Sequence, residues 1–130
     1  MTNYPERNEE FYGRNVYGKL SPEQIELLFQ KKRYFSGLGV SAEDDSFQAE
    51  TGNYWSVKTY LRDAKYLQGI QVMDVHGFSY RAIVIEVYPC DEIGIPTTSK
   101  PIEKRELSHN LEGEEIAEIH YQLMLEYLNK

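Results

Sequence analysis

At 130 residues the chain has the size of one domain and is too short for two ordinary ones. Apolar residues make up 41% and aromatics 13%, enough to build a core and to exclude a wholly disordered chain. A net charge of −7, from 14 basic and 21 acidic side chains, opposes general binding to phosphate backbones, and the single cysteine excludes an internal disulfide and a cysteine-built zinc site.

The charge is uneven: residues 89–130 carry four basic and nine acidic side chains, and so hold most of the negative balance. The first ten residues lack the apolar stretch of a signal peptide. The longest aliphatic run, Ala82-Ile83-Val84-Ile85, is far shorter than a membrane span. A cytoplasmic protein without membrane association is therefore expected.

Residues 1–20 are polar but carry Tyr4, Phe11, Tyr12 and Tyr17 among charges and glycines, with no sustained period of two or 3.6. They read as an irregular aromatic arm, with the domain proper at 21–130. The first helix begins at Ser21. A serine at the N-cap, Pro22 at the first helical position and Gln24 three residues after the cap form a capping box. Leu20 and Ile25 are spaced to close a hydrophobic staple over it. Ile25, Leu28 and Phe29 form one stripe, Lys31, Lys32 and Arg33 suit the negative pole of the dipole, and Gly37 and Gly39 end the element near residue 34.

Residues 41–53, with Glu43, Asp44, Asp45 and the Gly52-Asn53 turn, read as a polar bridge. Between 54 and 69 a strand pattern (Trp55, Val57, Thr59, Leu61) competes with a helical one (Val57, Leu61, Ala64, Leu67). Aromatic and β-branched residues favour a strand over 54–61. Residues 70–75 and 78–88 then read as a hairpin turning at His76-Gly77, with Ala82–Ile85 apolar on both faces and so inside a sheet. A loop-rich stretch from 90 to 111 carries a short edge strand over 102–107. The last helix starts near Asn110. Glu112, Glu114 and Glu115 fill its first turn, and Ile116, Ile119, His120, Leu123, Met124, Tyr127 and Leu128 make its apolar face. The expected fold is α+β: an N-terminal helix, a mostly antiparallel sheet of three to five strands, and a C-terminal amphipathic helix packed on it.

Motifs for chemistry are missing from the sequence: no phosphate-binding glycine loop, no G-x-S-x-G, no H-E-x-x-H and no EF-hand loop. His120 has no ligand-type residue three or four positions before it and sits in the apolar stripe, so it reads as a hydrogen-bonded core histidine. His76 reads as a turn residue and His109 as exposed. Cys90 lacks a neighbouring cation or helix N-terminus that would activate its thiol. Adjacent acids such as Asp44 with Asp45 diverge in space and read as solvated. Asp74 and Glu86 are the strand acids best placed to converge on a metal. Lys31–Phe35 mixes cations and rings as nucleic-acid contacts do, yet the helix dipole already accounts for the cations.

No catalytic residue, cofactor or metal site is expected on these grounds. Eleven tyrosines remain, and tyrosine is enriched where proteins touch proteins. The resulting expectation is a non-catalytic protein-binding domain of the inhibitor, adaptor or small-chaperone kind. Its partner is another protein, a second copy of the chain in a homodimer included, and its contacts centre on Tyr4, Tyr12 and Tyr17. Two other readings stand behind it: a small hydrolase-type enzyme with an Asp/Glu/His cleft, and a nucleic-acid-binding regulator.

Overall fold

A computed structural model describes residues 5, 9–11, 14–32, 42–63, 81–107 and 113–130. They form an α+β fold with two helices and a mixed sheet. The strands are β1 (Glu9–Phe11), β2 (Arg14–Lys19), β3 (Ala42–Gln48), β4 (Tyr54–Asp63), β5 (Arg81–Pro89) and β6 (Glu103–Leu107). The helices are α1 (Pro22–Lys32) and α2 (Gly113–Tyr127). The sheet order follows the chain, β1-β2-β3-β4-β5-β6, and every neighbouring pair is antiparallel except β2 with β3.

That parallel pair corrects the reading of the N-terminus. Parallel strands need a long crossover, and α1 supplies it between β2 and β3. Two strands thus precede the first helix, which is not N-terminal in the fold, and the sheet has six strands rather than three to five. Val16 and Tyr17 are buried on opposite sides of β2, so residues 14–19 are a regular strand of the sheet rather than irregular chain.

Helix α1 begins as its sequence dictates. Gln24 N–H donates to Ser21 Oγ at 3.2 Å, and Ser21 N–H donates to Gln24 Oε1 at 3.0 Å, the reciprocal bonds of a capping box. Leu20 and Ile25, the two staple residues, are both buried. The strand reading of 54–61 holds, and β4 extends two residues further. β5 lies inside the sheet with Val84 and Ile85 both fully buried, the consequence of an apolar run on both faces. The first strand of the expected hairpin, 70–75, lies outside the described residues.

The reading of 41–53 as a bridge is corrected as well: residues 42–48 are β3, an interior strand. Alternation decides it. Asp45 and Phe47 point towards the helices, whereas Asp44 and Ser46 point to the other side, so the acidic pair is split between two faces.

Both helices lie on one side of the sheet. Their core joins Tyr17, Phe47, Val57, Ile85 and Val87 of the strands to Ile25 and Leu28 of α1 and to Ala117, Leu123, Met124 and Leu128 of α2. The β3–β4 turn then closes the C-terminal end of α2, with Glu50 N–H donating to Leu128 O at 2.9 Å and Asn53 Nδ2 to Lys130 O at 2.7 Å. Both acceptors lie just past the last helical residue, Tyr127, so the turn is tied to the segment that follows α2. Among the described residues, no helix is long and apolar enough to cross a membrane.

Candidate functional site

The most chemically distinctive feature is a chain of polar side chains inside the core. His120 projects from α2 onto the sheet, where its Nε2 lies 2.7 Å from Asp45 Oδ2 and its Nδ1 lies 2.7 Å from Thr59 Oγ1. A carboxylate only accepts, so Nε2 donates to Asp45, and Nδ1 is then free to accept the Thr59 hydroxyl. Asn15 Nδ2 donates to Asp45 Oδ1 and to Glu43 Oε1, each at 3.1 Å. Four elements (β2, β3, β4 and α2) thus meet at one carboxylate–imidazole pair.

Hydroxyl, imidazole and carboxylate in a row is the order that activates a nucleophile in covalent catalysis. Here His120 and Asp45 are 0% exposed and Thr59 is 2% exposed. A substrate has no approach to them. The chain instead fixes the position of α2 over the sheet, because each buried polar group finds its partner only in that arrangement. His120 is accordingly the hydrogen-bonded core histidine expected from its place in the apolar stripe. Its two ring nitrogens are engaged, and among the described residues no three His, Cys, Asp or Glu side chains converge to hold a metal.

A second polar contact closes the edge of the same face. Tyr127 OH donates to Glu103 Oε1 at 2.7 Å, and the Trp55 and Tyr127 rings meet edge to face at 5.0 Å. The bond from Tyr127, helped by Arg105, holds the Glu103 carboxyl below its ordinary range. Burial, then the bond to Glu103 and the charge of that carboxylate, push the Tyr127 phenol well above its ordinary range.

The opposite face carries alternating charge. Asp44, Lys58, Glu86 and Lys104 stand in one row across β3, β4, β5 and β6, placing opposite signs on adjacent strands. Ser56 Oγ donates to Asp44 Oδ1 at 2.8 Å, and Lys58 Nζ sits 5.4 Å from the Tyr60 ring centre. Burial, followed by the charge of Glu86, raises the Tyr88 phenol. An open cleft of about 270 Å³ lies here, lined by Asp44, Ser56, Lys58 and Tyr88 and walled by Pro96 and Thr98. The preceding loop folds onto the sheet through Gly94, whose φ of 86° suits glycine, and a side chain there would meet Ser46 Oγ at 2.6 Å. Ile93, Ile95 and Ile102 remain exposed around this loop.

Between the two helices runs a groove of about 180 Å³. Ile25 and Phe29 of α1 and Tyr121 and Leu125 of α2 form its apolar floor. The Phe29 and Tyr121 rings pack edge to face at 6.1 Å. Glu26 and Glu118 stand exposed on its two banks, and among the described residues no basic side chain lines it.

Of the three tyrosines expected to contact a partner, Tyr17 lies among the described residues. Tyr17 is 6% exposed and packs into the core, because the alternation of β2 turns it under the helices. It is therefore a packing residue and not a surface contact. Tyr4 and Tyr12 lie outside the described residues, as do His76, His109, Asp74 and residues 33–35 of the basic–aromatic run. Glu86 lies on β5 beside Tyr88, on the face away from the helices. Cys90 is buried where a single β-bridge joins it to Pro96. Missed in the sequence were Asp45 and Thr59 as partners of His120, and Asn15 as a partner of Asp45; the histidine in an apolar stripe was the trace of them that the sequence offered. Comparison with known proteins finds no match to this chain, whether to a protein family, a curated protein or a solved structure.

Proposed function

We propose that this chain is a non-catalytic protein-binding domain whose contact surface is the groove between α1 and α2. The observation that carries the reading is the groove itself: Phe29 and Leu125 face each other across it, each only half-buried, between the exposed Glu26, Glu118 and Gln122. Covering such a groove removes apolar surface from water, the usual driving force of association. The hydroxyl–imidazole–carboxylate chain does not favour an enzyme, because it is closed to solvent. The acidic balance disfavours nucleic acid.

A second contact reading, through the face away from the helices, is favoured by the exposed Ile93, Ile95 and Ile102 beside the polar cleft. Photocrosslinkers separate the two. One is placed at Gln122, an exposed residue lining the groove, and one at Glu106, exposed on β6. A discrete protein captured in cell extract from Gln122 and not from Glu106 is the expected result. Capture from Glu106 alone moves the interface to the other face, and capture from neither overturns the binding reading.

A further inference from the structure

We infer that the α1–α2 groove receives a basic amphipathic helix of a partner protein, an assignment of partner chemistry that rests on the protein-binding reading above. Three properties of the groove lead to it. The first is backbone chemistry. Both walls are helix surfaces whose amides and carbonyls are already paired along α1 and α2, so the groove offers no ladder for an extended peptide. A strand laid there would leave its own backbone without protein partners. A helix brings its hydrogen bonds with it and needs only an apolar face, which suits the floor of Ile25, Phe29, Tyr121 and Leu125.

The second property is charge. Glu26 on one bank and Glu118 on the other flank the floor with carboxylates, the two charged side chains among the described residues that line it. A partner helix with lysine or arginine beside its apolar stripe meets complementary charge on both sides, and the net −7 of the chain steers it inward. The same charges argue against a second copy of this chain. The charged residues described in its groove, Glu26 and Glu118, are both acidic, so packing two copies groove to groove brings like charges together. The third property is length. The lining residues run from Ile25 to Phe29 on α1 and from Glu118 to Leu125 on α2, about 6 and 10 Å along the two axes, room for roughly two turns of partner helix with apolar anchors near i and i+4.

The test uses a fluorescent peptide of about 14 residues, built from leucine at helical spacing and lysine elsewhere, with a scrambled peptide of the same composition and a leucine–glutamate peptide of the same pattern as controls. Anisotropy with the whole protein is expected to show saturable binding of the patterned lysine peptide alone, weakening with salt. Glu26→Lys with Glu118→Lys is expected to reduce its affinity by roughly tenfold or more. Glu92→Lys with Glu106→Lys, which reverses two exposed charges away from the groove, is expected to leave most of it. Thermal melting of both double variants verifies that the fold is kept. Equal binding of patterned and scrambled peptides, or an equal loss in the two double variants, overturns the proposal, because attraction is then a matter of net charge. Sedimentation of the protein as a dimer that the groove variants dissociate also overturns it, by placing a second copy in the groove. The Gln122 crosslink distinguishes this failure from that of the binding reading. A partner captured there through an acidic or extended segment overturns the basic helix and leaves the binding domain standing, whereas no capture removes the reading itself.

Discussion

Asp44 and Asp45 are neighbours in sequence with the same side chain, and the fold gives them opposite fates. Asp45 faces α2, is sealed from water and anchors His120 and Asn15. Asp44 faces away from the helices, in reach of solvent, where it accepts a bond from Ser56 and stands opposite Lys58 in the charge row. The difference teaches that on this sheet the face, not the residue type, sets the energetic weight of a polar group. On the helix-covered side Asp45, His120 and Asn15 depend on one another, because water cannot substitute for a lost partner there. On the other side Asp44 is only partly covered, so water can share the role of its partners.

The largest effect that follows belongs to the apolar part of the covered face. Leu123, 1% exposed, lies in the core cluster, and Leu123→Glu is expected to cost about 5 kcal/mol through lost packing and a buried charge. That is a large fraction of a domain's stability, so the cooperative thermal transition should shift down steeply or vanish. An unchanged melting temperature would remove α2 from the core and with it this architecture.

Next comes the polar chain. Asp45→Ala strips His120 Nε2 and Asn15 Nδ2 of an acceptor inside the core, and an expected cost of about 3 to 5 kcal/mol follows. A double-mutant cycle with His120→Ala sharpens the point: the pair should cost less than the sum of its parts by about 1 kcal/mol or more. Additive losses would mean that the two residues do not act as one unit.

The edge contact between Tyr127 and Glu103 gives a pH-dependent intermediate case. The folded state lowers the Glu103 carboxyl, so its contribution is full above the ordinary carboxylate value of 4.5 and fades as pH falls below it. The folded state raises the Tyr127 phenol, so the bond's contribution holds below the ordinary value of 10.0 and declines as pH rises beyond it. Tyr127→Phe should therefore lower stability most near neutral pH and flatten both limbs of the stability profile. Denaturant titrations across pH read this directly, and parallel profiles for the two proteins would count against the bond.

The smallest effect is expected on the open face. Asp44→Ala removes the acceptor of Ser56 Oγ and one charge of the row, and should cost about 1 kcal/mol or less. A loss as large as that of Asp45→Ala, measured by the same denaturant midpoint, would erase the contrast between the two faces.

Where local chemistry fixes the outcome, the amino-acid sequence by itself determined it. The start of α1 needed only Ser21, Pro22 and Gln24, whose side chains and backbone satisfy one another within one turn. The apolar face of α2 and the interior position of β5 followed from periodicity, because burial requires a continuous apolar surface. What only the tertiary structure decided are the features whose partners are distant in the chain. β2 became a strand because β3 pairs with it across α1, and this pairing turned Tyr17 from a surface ring into a core ring. β3 is acidic and reads as a loop until His120, 75 residues beyond Asp45, supplies the donor that makes a buried carboxylate tolerable. The α1–α2 groove likewise exists only where two separately amphipathic helices meet, since neither stripe alone records how far apart the other will stand. Local hydrogen bonds and hydrophobic period are written within a few residues, whereas the satisfaction of a buried polar group is a property of the assembled layers.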